Sequence, residues 1–140
     1  GGGVVQSGGQ IESCTIVSNQ AATTGGGLAV YAGSVTNTVI ALNRAPNQVN
    51  VAGTLTAIGY SCSPELPGGV NGNLAAEARF QNPAVGDFRL APGSPGVNAG
   101  IAQPWMAGAA DLAGEPRLRG RVDMGAYESP SIPGTVLMIR

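Results

Sequence analysis

The ionisable side chains of this chain are few and unevenly placed. Its 140 residues carry eight carboxylates and seven basic groups, all of them arginine, with no His and no Lys. Six of the acids (Glu77, Asp87, Asp111, Glu115, Asp123 and Glu128) follow residue 75. Four of these, Asp111, Glu115, Asp123 and Glu128, are the best placed to do chemistry. Two carboxyl groups at a suitable separation are what glycoside hydrolysis needs, and several carboxylate oxygens together hold a hard cation. The same residues have a structural alternative. Asp111 precedes a glycine turn and suits an Asx-turn. Asp123 and Glu128 flank an apolar stretch near Arg117, Arg119 and Arg121, where charge-assisted pairing would fix a carboxyl-terminal cap. We expect the structural role. We assign no catalytic residue, no metal ligand and no cofactor, and keep the four acids and Trp105 as candidate binding residues.

Other chemistry is thinly supported. Trp105, Phe88 and Tyr127 could form a sugar-stacking platform, but aromatics more often plug the open end of a dry core, and a plug is expected. The absence of His removes a Ser/His/Asp triad. There is no CxxC zinc pattern and no phosphate-loop motif. Residues 1–62 offer one acid, Glu12, and one base, Arg44, too few for a calcium-assisted lyase site. With a net charge of −1, the basic footprint for nucleic acid and the polybasic patch for a membrane surface are both missing. The apolar runs, Val136 to Ile139 among them, are far too short to span a bilayer. The partners expected are a polysaccharide or cell-surface glycan, or further copies of this chain.

The elements that must hold these groups announce themselves by repetition. Gly1-Gly2-Gly3-Val4 recurs as Gly25-Gly26-Gly27-Leu28, and Cys14-Thr15-Ile16-Val17-Ser18-Asn19 recurs as Thr38-Val39-Ile40-Ala41-Leu42-Asn43, always 24 residues on. Such a period marks a solenoid, in which each unit buries its apolar face against the next. β-Branched runs between Gly and Asn punctuation read as strands and turns. Strands are expected near Val4–Gln6, Ile11–Val17, Leu28–Tyr31 and Val35–Leu42, pairing in parallel. Gly25, Gly26 and Gly27 mark a turn, and Asn19 and Asn43 occupy equivalent corners. A third, imperfect unit runs from Val49 to Cys62 with a strand near Gly53–Ile58. Residues 63–72 read as a loop and Leu74–Phe80 as something short and irregular. Strands are expected again at Gly86–Leu90, Val122–Glu128 and Thr135–Ile139. The chain starts without Met and directly inside a repeat, as a piece of something longer would. Cys14 and Cys62 are two periods apart, roughly 9.6 Å at about 4.8 Å per strand spacing. A disulfide needs Cα atoms within about 7 Å, so free, buried thiols are expected.

The repeat resembles the short repeats of polymorphic outer-membrane proteins and their bacterial relatives, where an Asn-ending strand meets a Gly-Gly-apolar turn, here Asn19-Gln20-Ala21 leading to Gly25-Gly26-Gly27-Leu28. The carboxyl half carries an ordered series: Asn82-Pro83, Gly86-Asp87-Phe88-Arg89-Leu90, Pro92-Gly93-Ser94-Pro95, Asn98-Ala99-Gly100, Asp111 to Arg117, and Val122-Asp123-Met124-Gly125-Ala126-Tyr127-Glu128. That series resembles the closing module of secreted bacterial parallel β-helix proteins of the choice-of-anchor Q type, although the family more often has Asp where Asn98 stands. The resemblance implies a pectate-lyase-like fold: all-β, a right-handed parallel β-helix of about 24-residue coils over 1–62. An irregular last coil and cap over 63–140 would complete the same domain. It also implies a secreted or cell-surface bacterial location. It implies no activity, because that fold hosts lyases, hydrolases, adhesins and passive stalks alike.

We therefore expect a non-enzymatic stalk, adhesin or glycan-binding scaffold. One alternative is a fibre subunit joined through open strand edges and the 135–139 strand, and another is the end of a polysaccharide lyase or glycoside hydrolase whose site lies upstream.

Overall fold

In the computed structural model, which describes residues 1–130, the repeated segments lie side by side as parallel strands. Strand β1 (Val4–Glu12) pairs with β3 (Leu28–Thr36), placing Val4 beside Leu28, Gln6 beside Val30 and Ile11 beside Val35. Strand β2 (Thr15–Val17) pairs with β4 (Val39–Ala41), placing Ile16 beside Ile40. These partners stand 24 residues apart, as Asn19 and Asn43 do. On the far side of β3 lie β5 (Val51–Gly53) and β6 (Ile58–Gly59), with Leu28 beside Val51 and Val35 beside Ile58. Here the spacing contracts to 23, as between Thr38 and Ser61. Val39 bridges to Cys62, and Cys62 to Leu74, so the stack continues into the 63–78 segment. The fold is all-β. Among the described residues helical structure is limited to three short 3-10 turns, and no helix is long and apolar enough to cross a membrane.

The corners explain why two long strands of the sequence reading are broken. Ser13, Asn37 and Tyr60 all adopt left-handed backbone, with φ of 51°, 52° and 47°. Ser18 and Leu42 do the same at the next corner, at 59° and 56°. A non-glycine residue held in this region turns the chain out of the strand, so Ile11–Val17 splits at Ser13 and Val35–Leu42 at Asn37. After each first corner a side chain bonds back two residues: Cys14 Sγ to Glu12 O at 3.2 Å, Thr38 Oγ1 to Thr36 O at 3.0 Å, and Ser61 Oγ to Gly59 O at 2.9 Å. The strand expected at Gly53–Ile58 is likewise interrupted, by the 3-10 turn Leu55–Ala57.

Side-chain alternation then builds two apolar clusters rather than one. Ile16, Leu28, Val30, Val35, Ile40, Val51, Ile58 and Leu66 face one another inside the stack. Val39 and Ala41 point the other way, yet both are fully buried. They are covered by Ala78, Leu90 and Met124 from the carboxyl half. Burial of a side chain this size stabilises by about 1.5–3 kcal/mol, which is what holds the carboxyl half on this face. A short antiparallel hairpin, β7 (Phe80–Asn82) with β8 (Asp87–Leu90), begins that half.

Residues 96–126 run along the flank of the β2–β4 sheet and touch successive segments. Asn37 holds Ile101 with both side-chain atoms, at 2.7 and 2.8 Å. Gly125 N donates to Asn37 O at 2.7 Å, and Ala126 N to Thr15 Oγ1 at 3.0 Å. Gly125 takes φ +99°, and a Cβ there would lie 2.8 Å from Thr15 Oγ1. Val122–Glu128 is therefore not a strand, because its amides go to scattered partners instead of one neighbouring chain. The expected strand at Thr135–Ile139 lies outside the described residues.

Candidate functional site

Three of the four candidate acids come together, and every one of the three is engaged by backbone. Asp111 Oδ1 accepts from Ala113 N and Glu115 N, both at 2.8 Å, the geometry of an Asx-turn. Its Oδ2 accepts from Glu128 N at 2.7 Å. Asp123 Oδ1 accepts from Asn98 N at 2.7 Å and Oδ2 from Ser129 N at 2.6 Å. Glu128 Oε2 accepts from Asp123 N at 3.0 Å, while Oε1 faces Arg117 Nη1 at 3.3 Å. Both members of this ion pair have side chains only 2% exposed. Arg117 also donates to Gly125 O from both terminal nitrogens, at 3.2 and 3.1 Å. The carboxylates thus tie residues 98, 111–117, 123 and 128–129 into one knot, buried at Arg117, Asp123 and Glu128. Charge-assisted bonds of this kind are about twice as strong as neutral ones.

Electrostatics single out Glu128. Burial pushes its carboxyl up to about 7, partly offset by the Asp123 amide and Arg117, while the charges of Asp123 and Asp111 push it further upward. Glu115 stands apart on the surface, paired with Arg119. Arg89 pairs with Asp87 at 2.6 Å, also in the open, and this partner holds the Asp87 carboxyl below its usual range. Arg–carboxylate pairing was expected around Asp123 and Glu128. It is found at Glu128, and Asp123 instead holds amides. No group of three or more Asp, Glu, Cys or His among the described residues is arranged to hold a metal ion.

The aromatics do not gather. Phe88 meets Phe80 edge to face, with centroids 5.6 Å apart. Tyr127 lines a cavity with Arg89 and Glu128, and Trp105 a different one beside the β1–β2 corner. Trp105 is 45% exposed, so the expected plug is corrected: the ring closes no dry core. It stands on a 3-10 turn, Pro104–Met106, whose Met106 is buried and anchors it.

The structural corners stand where the repeat put them. Asn19 and Asn43 stack, and Asn50 extends the column: Asn43 N and Nδ2 donate to Asn50 Oδ1 at 3.2 and 3.1 Å. Gly25 is left-handed (φ 62°), and Gly26 and Gly27 pass against the Arg44–Val49 turn and the Asn43 side chain. Sequence reasoning missed Asn50 and Glu65. Glu65 Oε2 accepts from Asn50 N at 2.7 Å and Val51 N at 2.8 Å, covering two amides where the repeat fails. Neither follows the period, so no repeat signal points to them. The cysteines are free, Cys62 buried and Cys14 only half-buried. They lie on opposite sides of the same segment, Val39 N donating to Cys14 O and Ile40 N to Cys62 O, both at 2.9 Å. Burial pushes the Cys62 thiol up to about 11 and also raises that of Cys14.

No protein-family model, no curated protein and no solved structure matches this chain.

Proposed function

We propose that this chain is a right-handed parallel β-helix segment of a secreted or cell-surface bacterial protein, and that it works without catalysis as a stalk, adhesin or glycan-binding scaffold. The observation that carries this reading is the parallel register, 24 residues and then 23, repeated at both sheets and at the asparagine corners. The sequence resemblance to secreted β-helix proteins points the same way. The non-catalytic part is supported by the acids. Asp111 and Asp123 spend their oxygens on backbone amides, and Glu128 is sequestered with Arg117. A turnover screen against neutral and acidic polysaccharides tests it. The expected result is no new reducing ends and no unsaturated products; turnover by this chain alone would overturn the proposal.

A second reading rests on a separate feature. Strand β1 is nine residues long and has β3 on one side only, so it presents an unpaired edge among the described residues. Such an edge is a template for another strand, which would make the chain a fibre subunit. Particle mass by light scattering discriminates: growth with concentration favours the fibre, and a constant monomer mass removes it.

A further inference from the structure

Between the β1–β2 corner and the 104–106 turn lies an open cleft of about 520 Å³, whose lining includes Glu12, Ser13, Thr15, Trp105, Leu112 and Arg117. Its apolar wall is conspicuous, since Trp105 is 45% and Leu112 72% exposed. Its polar lining is unspent. Ser13 Oγ and Arg117 Nε are buried without hydrogen-bond partners among the described residues. Buried polar atoms of this sort are normally satisfied. Thr15 Oγ1 accepts from Ala126 N and keeps its own proton to donate. Glu12 makes no ion pair among the described residues.

A flat apolar ring beside a mixture of hydroxyl, carboxylate and guanidine N–H groups matches the two surfaces of a sugar. One face of a pyranose is C–H-rich and packs on an aromatic ring, and its equatorial hydroxyls both donate and accept. Charge narrows the class. The cleft holds the acids Glu12 and Asp111 against Arg117, which is already paired with Glu128, so an anionic uronate is disfavoured. We propose that this cleft binds a neutral sugar ring, stacked on Trp105 with a hydroxyl reaching Glu12. This rests on the glycan-binding form of the function proposed above and names its site and ligand class.

Trp105 is the sole tryptophan of the chain, so its emission reports on the cleft alone. The whole chain is titrated with cellohexaose, chitohexaose and mannohexaose, and with a galacturonate hexamer as the charged comparison, by fluorescence and calorimetry. The expected result is a saturable change with at least one neutral oligomer and weaker binding of the uronate. Trp105→Ala and Glu12→Gln should each weaken calorimetric binding by about tenfold or more, as anchor residues do. Trp105→Phe, which keeps a ring, should retain most of it. Binding unchanged in both Trp105→Ala and Glu12→Gln would reject the cleft and leave the glycan scaffold standing. Binding of none of the oligomers would reject the cleft and the glycan-binding role together.

Discussion

Asn43 Oδ1 accepts two hydrogen bonds from Asn19, from the backbone amide at 3.0 Å and from Nδ2 at 3.1 Å. Because a backbone N–H can only donate, the first bond fixes which atom of Asn43 is oxygen. Its Nδ2 is then free to reach Ile16 O at 3.0 Å and Asn50 Oδ1 at 3.1 Å. Asn43 sits mid-column and buried, whereas Asn19 is half-buried at its end. Truncating Asn43 strands donors and acceptors on both sides, and buried unpaired groups cost about 1–3 kcal/mol each. Asn43→Ala should lower stability by about 3 kcal/mol and Asn19→Ala by about 1 kcal/mol, read from urea midpoints. The reverse order would contradict a continuous ladder.

Gly27 makes room for that ladder. A Cβ on Gly27 would stand 2.5 Å from Asn43 Nδ2 and 2.9 Å from Ile40 Cγ2. Gly27→Ala should therefore cost about 2 kcal/mol or more through overpacking. Gly108 faces open space, and its strain is only that of φ +75°, so Gly108→Ala should cost about 1 kcal/mol. Thermal midpoints of the two variants test this; equal losses would mean that the corner is not packed against the asparagine.

Glu128 makes stability depend on pH in an unusual direction. Its carboxyl titrates near 7 in the folded protein against an ordinary 4.5. Between these values the unfolded chain ionises first, so the contribution is complete below about 4.5 and is lost as pH rises through about 7. Tenfold in proton affinity is about 1.4 kcal/mol, so the loss is on the order of 3 kcal/mol. Glu128→Gln removes the titration. The stability difference between the native chain and this variant should shrink in favour of the variant from about pH 5 to about pH 8. A difference that grows the other way would show that Arg117 dominates and holds the acid ionised.

The repeat was legible because its cues are local. Glycine triplets recur where neighbouring chain passes close, corner asparagines recur as a hydrogen-bonded column, and the Asx-turn at Asp111 is written within five residues. The contraction from 24 to 23 was not legible. Leu28 N donates to Asn50 O as Val4 N does to Gly27 O, so Asn50 occupies a glycine's place while its side chain continues the ladder. The flank packing was hidden for another reason. Val39 and Ala41 look like any inward residues of a parallel strand, since a strand covered on both faces carries no alternation. Trp105 read as a plug because aromatics are usually buried; its exposure is a matter of which segment the carboxyl half lies against.

Amide hydrogen exchange along the middle segment tests the account most directly. Val30, Val35, Val39 and Ile40 have neighbouring chain on both sides and are fully buried. Their amides should be the slowest in the molecule, opening only when the whole chain unfolds, with edge-strand amides of β1 exchanging sooner. Fast exchange at these four positions, comparable to the exposed 107–108 turn, would contradict the parallel stack on which the proposed scaffold depends.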